Sequence, residues 1–179
     1  MVAAAAVMGL ATAAVWTFGQ DHLRTAGSQS TGAATWAWIV LGACGLAGAA
    51  AGDTVTRLGI ATSWRVMVVV AAGGTATLAL WPGSFPLALV ASGVFGPVYI
   101  ALTGVLLVWS TRVLPDRPST GVGIVFLALA VGQAVGAPAL GAIGDAWGLP
   151  SAFLTAAAIG LGGLVIVPRA EEGSGAAAS

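Results

Sequence analysis

Six long apolar stretches, separated by short polar breaks, account for nearly all of this sequence. They cover 2–18, 34–51, 64–80, 85–109, 121–143 and 151–167. A bilayer core of about 30 Å is crossed by about 20 helical residues, with roughly 17 as the lower limit. Each stretch meets or nearly meets that length. None alternates apolar with polar residues over about 10 positions, as a barrel strand would. The expectation is an all-α integral membrane bundle of six transmembrane helices within residues 1–168. A small, polar, acidic tail at 169–179 is expected to be disordered and cytoplasmic.

Charge supports the same solvent. Only 7% of the 179 residues are charged, against roughly 25% in a soluble domain. Six arginines, six acids and no lysine cannot cover a water-facing surface, so the expected partner around most of the chain is lipid. No basic patch is present to hold nucleic acid. Cys44, the single cysteine, lies inside an apolar run, which excludes a disulfide framework and predicts a small buried side chain. No Lys or Arg follows Met1, so the basic segment of a cleaved signal peptide is missing. The abrupt apolar start instead predicts a chain entered partway through a larger protein, or a truncated frame.

The arginines set an orientation. With the N-terminus inside, Arg57, Arg65, Arg112, Arg117 and Arg169 are cytoplasmic and Arg24 alone is outside, a positive-inside bias. Both termini are then cytoplasmic, and the plasma membrane is the expected location. Trp64, Trp81, Trp109 and Trp147 fall at expected helix ends, where indole favours the membrane interface.

The polar break from Gly52 to Arg65 returns once. Shifted by 89 residues, Gly52 falls on Gly141, Gly59 on Gly148, Ile60 on Leu149 and Trp64 on Phe153. In both copies the break joins the second and third helix of a triplet. Two triplets of three helices run in opposite senses, which is an inverted-topology 3+3 repeat.

With that repeat in place, the sequence resembles one half of a major facilitator superfamily transporter. The family's loop pattern is Gly-x-x-x-Asp-Arg-x-Gly-Arg, and Gly52, Arg57 and Gly59 match it. Thr56 stands where the family has Asp, Asp53 is displaced by three positions, and Arg65 takes the later basic role. This degenerate form is similar to the copy in the second half of the family. The resemblance implies the C-terminal half of a permease that moves a small solute by alternating access, with a second six-helix half as partner. It also implies a cytoplasmic gating loop of Gly52, Asp53, Arg57, Gly59 and Arg65. The rival readings are a six-helix protein acting as a homodimer and a non-transporting structural or assembly partner.

A second resemblance lies in the fifth stretch. Gly123, Gly132, Gly136, Pro138 and Gly141 are similar to the glycine/proline pattern of antiporters in the same superfamily, with Ala137 interrupting the Gly-Pro pair. Gly132, Gly136, Pro138 and Gly141 then form either a helix hinge or a close-packing face.

No Asp, Glu, Lys, Arg or His lies in the middle of any stretch, so no proton-relay group is expected there. The candidates for a substrate cavity are neutral: Tyr99, Thr103, Gln133 and Trp16. Tyr99 and Thr103 are four apart and share a helix face. Gln133 either lines a wet cavity or bonds a neighbouring helix. Trp16 stands either at the outer mouth or at the interface. His22, beside Gln20 and Asp21, is read as a solvated loop residue or a pH sensor. No nucleophile motif, phosphate loop or metal spacing is present, so neither catalysis nor a cofactor is expected. The solute itself stays open: small and neutral, amphipathic or apolar.

Overall fold

Serine, proline and glycine decide where the helices begin. Ser30 caps the second helix, its Oγ accepting from the Ala33 N–H at 3.1 Å. Proline occupies the first turn of the last three helices, where its missing N–H costs nothing. The computed structural model describes residues 1–50, 55 and 57–166. Six α-helices follow in order: α1 (Val2–Thr25), α2 (Thr31–Gly45), α3 (Ile60–Leu80), α4 (Phe85–Val113), α5 (Pro118–Trp147) and α6 (Leu149–Gly162). Turns of 3₁₀ helix extend α2 over Leu46–Ala50 and α6 over Gly163–Val165. The described residues contain no strand.

Five stretches are long and apolar enough to cross a membrane: Val2–Thr25, Thr31–Ala49, Ile60–Leu80, Phe85–Val113 and Pro118–Trp147. The last helical stretch, Leu149–Val165, is shorter, and its expected end at Val167 lies outside the described residues. Gly52, Asp53, Thr56, Arg169 and the tail 169–179 also lie outside them.

Several boundaries move outward. α1 runs to Thr25 rather than ending at Phe18, because nothing between Gly19 and Arg24 breaks a helix. α3 starts at Ile60, and the connection between α5 and α6 shrinks to Gly148 alone. Two expectations fall with these shifts. His22 is no loop residue but is fully buried near the end of α1. Its Nε2–H donates to the Leu78 carbonyl at 2.9 Å, and its ring stacks on Phe153 at 4.3 Å. Trp64 is no interface residue but is 1% exposed, and its indole N–H donates to the Gly163 carbonyl at 3.0 Å. Cys44, expected to be buried, is exposed.

Two packed clusters mark the two ends of the bundle. One joins the start of α1 (Ala4, Ala5, Met8) to the start of α3 (Ile60, Trp64), the second half of α4 and the first half of α5. The other joins the end of α1 (Leu23) to Ala34 of α2, Leu78 of α3, Ala88 of α4, Leu140 of α5 and Ala152 of α6. Successive helices therefore alternate in direction. Arg57, Arg65, Arg112 and Arg117 gather at the first end, and Arg24 stands at the second.

The most extensive contact is α1 on α5, followed by α2 on α4. Glycine makes both possible. A Cβ on Gly9 would strike the Leu129 carbonyl oxygen and come within 3.0 Å of the Gln133 nitrogen. A Cβ on Gly132 would strike the Ala6 carbonyl, and one on Gly136 would lie 2.9 Å from the Leu10 Cα. In the second crossing, a Cβ on Gly96 would strike the Leu41 carbonyl oxygen and lie 3.2 Å from the Gly45 nitrogen. Without hydrophobic drive between helices in lipid, such backbone approach supplies the association. Gly141 packs against Phe18, while Pro138 is exposed on a helix that continues through it.

Gly59 and Gly148 share one backbone geometry. Their φ, ψ values are 75°, 158° and 85°, 152°, and each is the N-cap of the next helix. This region is open to glycine almost alone, and another residue costs on the order of 1–3 kcal/mol there. Gly148→Ala should lose stability by that amount although only Pro150 Cδ, at 3.6 Å, lies near the new Cβ. Thermal denaturation in detergent checks it; a variant as stable as the parent would show that the turn relaxes freely.

Candidate functional site

Four aromatic side chains meet near the middle of the bundle, on a face built from α1, α2 and α4. On α4, Phe95 and Tyr99 are four residues apart and stack at 6.2 Å with 18° between planes. Trp16 of α1 meets the Tyr99 ring edge-on at 5.0 Å and the Phe95 ring at 6.4 Å. Trp38 of α2 meets Trp16 edge-on at 5.7 Å. Edge-to-face pairs at such separations are the favoured aromatic geometry. Phe95 is fully buried beneath the cluster, whereas Trp16 is 36% exposed and Tyr99 half-buried. Trp16 therefore stands well inside α1, not at its mouth, because that helix runs on to Thr25.

Beside the cluster, a groove of about 250 Å³ runs between α2 and α4, lined by Trp16, Leu41, Gly45, Gly96, Tyr99 and Ile100 among others. Gly45 and Gly96 bring the two helices together at its edge, while a Cβ on Gly42 would meet nothing within 4 Å. A second groove of about 260 Å³ shares Ala49 and Ile100 with the first and reaches past Thr103 to Val108. Thr103 turns its hydroxyl back to the Tyr99 carbonyl at 3.0 Å. It lines the second groove but has no free donor to offer there.

Gln133 of α5 reaches Tyr99 but lines neither groove. Its Nε2 donates to the Tyr99 hydroxyl oxygen at 3.4 Å, and both residues are half-buried. The amide thus bonds a neighbouring helix at the site. The structure brings Trp16, Tyr99 and Gln133 together, with Thr103 one turn away. No charged side chain lines either groove. Among the described residues no three His, Cys, Asp or Glu side chains gather as a metal site.

Arg57 and Arg65 stand elsewhere, exposed at the arginine-bearing end. Val55 of the same connection is buried in the core cluster there. Gly59 starts α3 as described. Gly132 and Gly136 lie in the α1–α5 crossing, on the close-packing face rather than in the groove. Sequence reasoning missed Trp38 and Phe95. The spacing of Phe95 from Tyr99 was available to find the second, but the position of Trp38 depends on the α1–α2 arrangement.

Comparison with protein-family models, with curated proteins and with solved structures gives no match for this chain. The functional reading therefore rests on the residues and their geometry.

Proposed function

We propose that this chain is a six-helix half of an alternating-access transporter that moves a small, uncharged solute across a cell membrane. The observation that carries the reading is the matched pair of glycine crossings. Exchanging the first three helices with the last three maps the α1–α5 crossing onto α4–α2. In each, one glycine (Gly9 or Gly96) sits against a carbonyl oxygen (Leu129 or Leu41) and the nitrogen four residues on (Gln133 or Gly45). The same exchange maps Gly59 onto Gly148, which share a glycine-only geometry. It also maps Trp64 onto Phe153, both fully buried. These correspondences support an inverted repeat, the construction of secondary transporters with a site near the midplane.

The aromatic face lies at that level, in the middle of α1, α2 and α4. α3 and α6 contribute nothing to either groove. A face half-exposed here, with a second six-helix bundle opposite, makes a central cavity. That bundle is a second half or a second copy of this chain. The four arginines at one end favour a cytoplasmic position for that end. Arg57 there is exposed, which suits a gating role against the opposing bundle.

Accessibility tests the cavity. In a Cys44→Ala background in cells, Tyr99→Cys should react with a membrane-impermeant maleimide, and Val69→Cys on the outer face of α3 should not. Arg24→Cys should label from outside and Arg57→Cys only after permeabilisation. Equal inertness at 99 and 69 would remove the aqueous cavity, and with it the transport reading.

A further inference from the structure

His22 is the only histidine in the chain. It is fully buried at the end of the bundle opposite the four arginines. What holds it there follows from the sequence of α3. The Leu78 carbonyl would accept from the N–H four residues on, but that residue is Pro82, which has none. His22 supplies the missing donor, its Nε2–H reaching the Leu78 oxygen at 2.9 Å. Beside this bond, the Gln29 amide donates to the Pro82 carbonyl at 3.2 Å. α1 and α3 make no extended contact with each other, so these two bonds tie the end of one to the end of the other. The imidazole also lies on the Phe153 ring of α6, 4.3 Å away with 23° between planes. One side chain thus fastens three helices.

The fastening suits the neutral ring alone. With its proton on Nε2, the ring keeps Nδ1 as an acceptor, and Nδ1 has no hydrogen-bond partner among the described residues. A second proton would make Nδ1 a donor facing no acceptor, on a charged ring shut away from water. The charged side chains at this end are Asp21 and Arg24 of α1 and Asp145 of α5, all exposed. α2, the second half of α3 and α6 bring none. Helix-end carbonyls and the face of Phe153 favour a cation. Neither accepts the new proton, and the penalty for burying an unpaired ion exceeds both. We infer that His22 is an acid-sensitive latch: proton uptake expels the ring from between Leu78 and Phe153 and frees the ends of α1, α3 and α6 from one another. The latch belongs to the bundle itself and stands apart from the transport reading.

A ring in water takes its proton at about pH 6.5. The released form binds that proton and the packed form has no place for it, so the latch is intact above neutrality and weakens as pH falls below that value. Magnetic resonance of the full chain in detergent, with any affinity tag removed, reads it directly, because the single histidine needs no assignment. At about pH 7.5 the ring should be neutral with its proton on Nε2, and its carbon-bound protons should be displaced upfield by the Phe153 ring. Acidification to about pH 5 should bring the signals of a charged ring and abolish that displacement in one step. A ring that charges while still displaced by Phe153 overturns the inference. So does a ring that stays neutral and in place throughout, or one that shows no displacement at the start. Thermal denaturation is the second reading. Between the same two pH values the parent's midpoint should fall by on the order of 4 °C more than that of His22→Gln, whose amide can still donate to Leu78 but takes no proton. Equal falls would also overturn the latch, and if His22→Gln does not fold, the ring signals of the unaltered protein decide.

Discussion

Gly132→Leu should drive α1 and α5 apart and destabilise the bundle more than any other single change in α5. The new side chain would begin inside the Ala6 carbonyl, with Ala6 C and Leu10 N also within 3.0 Å. These are backbone atoms of a facing helix, so no rotamer relieves the clash. Overpacking that side chains can absorb costs about 1–3 kcal/mol. Here the α1–α5 crossing itself must open, and the loss should reach or exceed the top of that range. In a chain of this size that lowers the midpoint of thermal unfolding by on the order of 10 °C. Gly123→Ala in the same helix is the control, because nothing lies within 4 Å of its Cβ. It should be neutral or gain up to about 1 kcal/mol from helix propensity. Equal melting of the two variants in detergent would show that the crossing carries no special weight.

Trp64→Ala should produce the second large loss. The ring is 1% exposed within the cluster of α1, α3, α4 and α5 side chains, and its N–H reaches across to Gly163 after α6. Truncating a buried tryptophan costs about 3–5 kcal/mol from lost transfer energy and the cavity left behind. Trp64→Phe keeps most of the volume and loses the donor, so it should cost about 1 kcal/mol for the bond and somewhat more for the orphaned carbonyl. Trp81→Ala, at a position 53% exposed, should cost little. In chemical denaturation the expected order of loss is Trp64→Ala first, Trp64→Phe second and Trp81→Ala last. A Trp64→Ala protein as resistant as Trp81→Ala would mean that the indole is replaceable by lipid or by repacking.

Helix number and order were legible because length against bilayer thickness is a strong constraint, and because proline and glycine punctuate the breaks. Helix ends were less legible. Gln20, Asp21 and His22 read as a loop by polarity, yet polarity does not stop a helix whose carbonyls and amides are already paired. The place of His22 is hidden for a further reason: its partners, Leu78 and Phe153, come from α3 and α6 and carry no local signal. The position of Trp64 near a helix start points to the interface, but the buried side of α3 decides where the ring goes. The site was partly legible. Tyr99 and Gln133 stand out as the rare polar groups in apolar runs, since lipid admits such groups only with partners. That they pair with each other, beside Trp16, depends on how closely the α1–α5 glycines let those helices approach. Trp38 shows the limit, because a tryptophan in an apolar run looks the same whether it faces lipid or a neighbour.

Gly148, the lone residue between α5 and α6, bears on how the final helix acquires its direction. Consecutive Cα atoms are about 3.8 Å apart, so a single connecting residue leaves no slack for α6 to choose a side of the bilayer. α6 is short, and the residues around its start offer Asp145 but no arginine. On the α5–α6 side a basic charge signal is therefore absent, and Arg169 beyond the far end is the nearest one in sequence. The course of α6 is inherited: it folds back along α5 as the second arm of a hairpin.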